Sequence, residues 1–396
     1  MQRIAYITLG ETAMVTTYTQ TCPVLFGVGA IEQLGEKALG LGAKKVLCVY
    51  DEGVKVSGIG DRIAAILKKA GLEVAVFDRV AFDAPDTIVD EGGRFAQQEH
   101  INCVVGIGGG SSLDTAKAIS ILIENPLPIS QYYFDRAKPF TVTMPLILVP
   151  TASGTGSEVT IMGVVHDEKG NTKEAVHRPG TLAIVDPQLT LTVPPRATAA
   201  TGMDALAHAV EAYTSKTSDP KSDLLAIYAI DLIAKNLAAA YKDGKNIGAR
   251  TNMMLASNLA GMAFNDASVH FGHAAGHAFG TTFKMAHGVG CALAIPEVIE
   301  FSAEVIPERT IAIAKALGCK LPENVTGKEA GDLAAQKVRN LMHETGIPSF
   351  SDMGISKEAA TGCAPDAMKN WFVINAQKEV TTEVMAGLIG RMYANY

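Results

Sequence analysis

Cys103-Val-Val-Gly-Ile107 runs directly into Gly108-Gly-Gly-Ser111-Ser-Leu-Asp114-Thr-Ala-Lys117. A short run of apolar residues that stops at glycines and gives way to a helical pattern reads as a buried strand, a tight turn and a helix start. Glycines there let a phosphate reach the backbone, and the helix N-terminus offers it free N–H groups. The spacing is not G-x-G-x-x-G, so the ordinary Rossmann fingerprint is absent. Upstream, Lys45-Val-Leu-Cys-Val-Tyr50 and Leu72-Glu-Val-Ala-Val-Phe77 read as strands, with helices over 61–70 and 87–99. Downstream, a helix over 113–122 precedes a strand at Pro145-Leu-Ile-Leu-Val149. Strands spaced by helices predict an α/β, doubly wound, mostly parallel sheet with ligands at the carboxyl ends of its strands.

Two features extend the turn at 108–111. Pro150-Thr-Ala-Ser-Gly154-Thr-Gly156-Ser-Glu158 follows the fourth strand and supplies small hydroxyl donors. Asp51 closes the strand ending at Tyr50. An acidic residue there can accept from a ribose diol and repel a 2′-phosphate, favouring NAD over NADP; it can equally be a helix cap.

Beyond Ile184-Val-Asp186-Pro187 the texture changes, and Val193-Pro-Pro195 punctuates the chain. Helices are expected over 204–213, 219–241, 247–264, 269–280, 306–317, 328–344 and 357–370. Two domains follow: an α/β dinucleotide-binding domain over 1–194 and an all-helical domain over 195–396. In the second, Asp204-Ala-Leu-Ala-His208 and His273-Ala-Ala-Gly-His277 each place two donors four apart on one helical face, and His287 follows ten residues later. One carboxylate and several imidazoles suit Fe²⁺ or Zn²⁺. Spacing leaves open which three of His208, His270, His273, His277 and His287 join Asp204.

Composition narrows the classes. The chain has 396 residues, net charge −7 and no basic run, which argues against nucleic acid or an anionic membrane surface as partner. Its six cysteines form no C-x-x-C pair, so a reducing cytosol is expected rather than a disulfide framework. MQRIAYITLGETAMVTTYTQ shows no basic-then-apolar leader. No run of about 18 uninterrupted apolar residues predicts a membrane span.

These motifs together resemble the iron-containing (group III) alcohol dehydrogenase family over nearly the whole chain. Phe26-Gly-Val-Gly29, Gly108–Lys117, Pro150–Thr160, Ala183–Pro187, Thr201-Gly-x-Asp204-Ala-x-x-His208-Ala-x-Glu211 and His273-x3-His277-x9-His287-Gly288 carry the likeness. The resemblance implies metal ligation by Asp204, His208, His273 and His287. It makes His277 a proton relay, and places Gly109, Gly110, Ser111, Thr151, Ala152, Thr155 and Thr160 on the dinucleotide. Asp114 and Lys173 would lie near ribose and nicotinamide, with Asp114 sharing in catalysis. The implied activity is NAD(H)-dependent interconversion of a small aldehyde and its primary alcohol, in a cytoplasmic homodimer or larger homo-oligomer. Dehydroquinate synthase-like lyases share the two-domain plan with NAD and zinc, and are the alternative. The chain departs from the family at His270, where glycine is common, at Ala278, at Ala84-Pro85-Asp86 and at Asn375-Ala-Gln-Lys378. His270, Asn265 and Phe264 are expected to line a substrate pocket suited to a polar or anionic aldehyde.

Overall fold

The computed structural model describes residues 20–135 and 137–396. The reading of the N-terminal stretch as leaderless falls largely on residues outside that range. The described residues form eight strands: β1 (Val24–Phe26), β2 (Lys45–Asp51), β3 (Glu73–Val80), β4 (Cys103–Gly108), β5 (Leu146–Pro150), β6 (Met162–Asp167), β7 (Thr172–His177) and β8 (Leu182–Val185). Six of them form one sheet in the order β1-β8-β5-β4-β2-β3, every pairing parallel. β4 is buried at all six positions, as a central parallel strand covered on both faces must be. The covering helices are α1 (Leu34–Gly40), α2 (Glu52–Val56), α3 (Ile59–Lys69), α4 (Asp86–Gln98) and α5 (Gly110–Glu124).

The strand order sets the ligand crevice. From β2 the chain steps outward to β3, then returns to lay β4 on the other side of β2. Direction therefore reverses between β2 and β4, and the loops leaving their carboxyl ends diverge at that switch point. Asp51 ends one of these strands and the glycine turn ends the other.

β6 and β7 form a separate antiparallel hairpin that the sequence reading did not foresee. Its strands carry polar residues in both registers, so no clean alternation announces them. The hairpin docks on α5 through Lys117, whose fully buried ammonium donates to Ser157 Oγ (3.0 Å), the Thr160 carbonyl (3.2 Å), Thr160 Oγ1 (3.0 Å) and the Met162 carbonyl (2.6 Å). Burial pushes this lysine down to about 8, with Asp114 pulling the other way.

After β8 the described chain is helical: α6 (Pro195–Thr214), α7 (Pro220–Lys242), α8 (Ile247–Ala267), α9 (Phe271–Phe283) and α10 (His287–Ser302), followed by helices at Pro307–Ala316, Gly327–Glu344 and Thr382–Asn395. α7 begins where its sequence says it should: Asp219 accepts from the Lys221 and Ser222 N–H groups, and Ser222 Oγ accepts in return from the Asp219 N–H. The helix expected over 357–370 breaks into two short pieces, Lys357–Thr361 and Ala364–Ala367, with Pro365 in the first turn of the second. α10 was absent from the sequence reading because it is apolar on every side and carries Pro296 in its interior. Helices buried all round lose the amphipathic signature.

α7 is the single helix among the described residues that is long and apolar enough to cross a membrane, by length and composition only. It packs against α6 and α8.

Candidate active site

Two close helix approaches build the centre. α10 crosses α6 where Gly288 faces the Ala200 carbonyl, and α9 meets α10 where Gly276 faces Cys291. A side chain at either glycine would collide with backbone or sulfur. These contacts bring His287, the first residue of α10, to the flank of α6 that carries Asp204. His287 Nε2 lies 3.5 Å from Asp204 Oδ1, and His273 Nε2 lies 3.8 Å from the same oxygen. His208 Nδ1 stands 3.9 Å from Asp204 Oδ2, and the His208 and His273 rings are 4.4 Å apart. Asp204, His273 and His287 thus converge on one point, and His208 stands beside it. Gly288→Ala is expected to push α10 off α6 and move His287, lowering metal content at least tenfold while the far-ultraviolet dichroism stays native; unchanged metal content would refute the role of this contact.

The electrostatics fit a cation. Asp204 Oδ1, His208 Nδ1 and His273 Nε2 are buried and have no hydrogen-bond partner. Buried polar atoms are ordinarily satisfied, and a cation binding among them is one standard reason why some are not. Burial drives the Asp204 carboxyl up to about 7, while the Cys291 thiol and Lys173 pull it down. Burial also drives His273 and His277 down to about 3, and lowers His208 and His287 well below the usual imidazole value. The imidazoles are therefore neutral, as metal ligands must be.

These shifts fix a pH dependence for the metal-free fold. Between pH 6.5 and 3 the unfolded chain takes up a proton at each histidine that the folded chain refuses, so folding loses stability as pH falls. Asp204 acts oppositely, because the folded carboxyl keeps its proton up to about 7. His273 and His277 together outweigh it by one proton, and the other buried imidazoles add to the balance. Metal-free protein should therefore lose stability on going from pH 6.5 to 5, by about 1.4 kcal/mol per pH unit for each net proton. A urea midpoint that rose over that range would contradict the burial of these rings.

Glu211, one turn beyond His208, organises the back of the centre. Its carboxylate accepts from the backbone N–H groups of His270 (3.1 Å), Gly272 (2.8 Å) and His273 (3.1 Å) at the start of α9, and it pairs with His273 Nδ1. That pairing turns Nε2 of His273 toward Asp204. The carboxylate–imidazole arrangement is the usual support of a metal-ligating histidine.

Several expected placements change. His270 is buried behind His273, with Nε2 2.9 Å from Thr214 Oγ1 and Nδ1 3.2 Å from Glu211 Oε1; it does not face a substrate pocket. Asn265 uses Oδ1 to accept from the Ile161 N–H, tying α8 to the hairpin. Phe264 stacks on His208, with ring centroids 4.2 Å apart, and so does stand beside the centre. His277 hydrogen-bonds through Nδ1 to Asn370 Oδ1 at 3.1 Å, and its ring lies 5.2 Å from that of His287.

On the sheet side, Asp51 serves as the cap of α2, accepting from the Val54 N–H, and also accepts from Ser112 Oγ at 3.2 Å. Gly109 caps α5 without a side chain, and open space lies where its Cβ would be. Gly110 packs so closely on Thr155 that a Cβ would come within 2.8 Å. The Thr151 N–H donates to the Gly108 carbonyl, joining the two loops, and Ala152 lies half-buried beside it. Ser157 Oγ donates to Asp114 Oδ1 at 2.6 Å, and Thr160 is occupied by Lys117, so both residues tie α5 to the hairpin loop. The Asp83 N–H donates to Ser111 Oγ, and Lys173 reaches Asp83 Oδ1 at 3.1 Å from β7. The Lys173 charge acts on Asp204, His277 and His287, which sets it between the two halves of the site.

A glycine-lined crevice at a parallel sheet's switch point, facing a buried Asp/His cluster, defines a dehydrogenase-type site. The chain belongs to the iron-containing alcohol dehydrogenases: the description "Iron-containing alcohol dehydrogenase" matches residues 23–187, and "Fe-containing alcohol dehydrogenase family, C-terminal" matches 198–393. Among its relatives, 1,3-propanediol dehydrogenase of Citrobacter freundii is 39% identical over 87% of this chain and 90% of its own length. NAD-dependent methanol dehydrogenase of Bacillus methanolicus is 35% identical over 92% and 96% respectively. A solved 1,3-propanediol oxidoreductase superposes with a TM-score of 0.90 at 34% identity, covering 96% of this chain and all of the other. The protein is an NAD-dependent alcohol/aldehyde oxidoreductase of that family, and the lyase alternative drops out.

Proposed function

We propose that Asp204, His208, His273 and His287 hold a divalent cation, iron by family, and that the crevice between Asp51 and Gly109–Ser111 holds NAD(H). The carrying observation is the convergence of His273 and His287, from two further helices, on Asp204, with Asp204 Oδ1, His208 Nδ1 and His273 Nε2 buried and unpartnered. When bound, the dinucleotide exchanges the hydride and the cation acts as a Lewis acid toward the alcohol or carbonyl oxygen. The chain supplies the rest. Gly109, Gly110 and Ser111 admit phosphate to the first turn of α5, with Thr151, Ala152 and Thr155 forming the facing wall. Asp51 is placed for the ribose diol, and Lys173 with Asp83 for the ring end of the cofactor. Asp114 and Thr160 brace these walls. Asn370 Oδ1 can only accept, so His277 carries its proton on Nδ1 and keeps the Nε2 lone pair for the proton released at the substrate hydroxyl. Phe264 and Phe372 shield the reacting atoms from water.

The proposed substrate is a short primary alcohol or its aldehyde carrying a second polar group. Its support is the likeness to 1,3-propanediol dehydrogenases; His270, facing Glu211, lends it none. Iron-loaded protein assayed anaerobically with NADH should show a higher kcat/KM for 3-hydroxypropanal than for butanal. A strong preference for butanal would overturn the polar-tail reading, and no NADH consumption with any short aldehyde would overturn the reaction. A cytoplasmic homo-oligomer is proposed as the working form. Leu224 and Tyr228 of α7 are exposed, as residues meeting a second copy would be. A light-scattering mass of one 41.6 kDa chain would reject it.

A further inference from the structure

The centre holds one donor that the four-residue set leaves out. Cys291 lies one turn after His287 on α10, fully buried, with Sγ 3.6 Å from His287 Nε2. One ligand-capable atom from each of Asp204, His273, His287 and Cys291 falls within 4.8 Å of all the others. Donor atoms bound at about 2.0–2.3 Å to a single four- to six-coordinate ion stand roughly 2.8–3.8 Å apart. The separations 3.5 Å (His287 Nε2 to Asp204 Oδ1), 3.6 Å (His287 Nε2 to Cys291 Sγ) and 3.8 Å (His273 Nε2 to Asp204 Oδ1) fall within that range. Asp204 Oδ1 and His273 Nε2, both unpartnered, point into the same space. Gly276 is what makes room, because a Cβ there would sit 2.9 Å from the sulfur.

The geometry points to Cys291 Sγ as a direct ligand of the cation, giving the centre a soft donor beside its carboxylate and imidazoles. This rests on the metal-site reading above and extends it to a further residue. Ligation is a simple exchange: the thiol proton leaves to solvent, a sulfur–metal bond forms, and no electron changes hands. A thiolate shifts preference from Fe²⁺ toward Zn²⁺ and other softer ions. The other five cysteines lie outside this cluster.

The test is cobalt substitution. Metal-stripped protein is loaded anaerobically with Co²⁺, bound cobalt is counted, and the near-ultraviolet spectrum is recorded for the parent and for Cys291→Ser. Expected is one cobalt per chain in both, with a thiolate-to-cobalt charge-transfer band in the parent that Cys291→Ser loses. Zn²⁺ affinity measured against a competing chelator should fall roughly tenfold or more in the variant, with a smaller change for Fe²⁺. One cobalt bound to the parent without a charge-transfer band overturns the ligand role of Cys291 and leaves the four-residue set standing. Failure of the parent to bind cobalt overturns both. Should Cys291→Ser not fold, the parent spectrum alone decides.

Discussion

Asp204→Asn should abolish metal loading and turnover, yet leave the metal-free protein folded and more stable than the parent at pH 8. The two effects have one cause. Asp204 sits in α6 among Met203, Ala205, Leu206 and Ala207, all buried, and its carboxyl titrates near 7 instead of near 3.8. The unfolded chain loses that proton first, so the group's stabilising contribution is complete below 3.8 and drains away as pH rises to 7. Above pH 7 the ionised carboxylate costs up to about 4 kcal/mol in the absence of a cation. An amide of equal size removes that cost. Bound metal offsets the same cost in the parent by mass action, so metal should raise the melting temperature of the parent and leave Asp204→Asn unmoved. A variant that still took up stoichiometric iron, or that kept near-parent activity, would remove the centre from the mechanism.

Glu211→Gln should lower metal affinity by about 10–100-fold and reduce kcat more than it alters KM for NADH. Glu211 never reaches the Asp204 pocket directly. It fixes His273 by accepting at Nδ1, and it also receives three backbone N–H groups from the N-terminal turn of α9. Glutamine keeps the shape and halves the accepting capacity, so an amide N–H is forced against either the imidazole or the backbone. The fully truncated Glu211→Ala leaves all those buried donors unpaired and should cost several kcal/mol of stability. The comparison is the control: if Glu211→Gln lowered stability as much as Glu211→Ala and left the metal affinity of the folded fraction at the parent value, Glu211 would be a packing residue only.

Much of this was legible in the chain. The strand–glycine–helix passage at 103–117 announced the parallel sheet because a central strand buried on both faces is uniformly apolar, and its glycines end it abruptly. The proposed centre shows in the chain by period: Asp204 with His208 and His273 with His277 are four apart on helices that exist. Elsewhere the signal was missing for physical reasons. α10 is wrapped in protein on every side, so it has no polar face to mark its period, and Pro296 argues locally against a helix that tertiary packing sustains. With α10 unseen, nothing set Cys291 one turn from His287. The same loss of context sent His270 to the substrate, although its neighbours in space, Glu211 and Thr214, lie more than fifty residues earlier.

Local chemistry therefore decided the kinds of group available: a glycine-opened helix, an acidic strand end, and carboxylate and imidazole at helical spacing. Tertiary structure decided which of them meet. α9 and α10 reach α6 only because glycines replace side chains at the crossings, and burial in that three-helix contact strips water from the donors, leaving Asp204 reluctant to ionise and its histidines neutral. Close packing and desolvation belong to the assembled fold, and neither can be read from the order of residues alone.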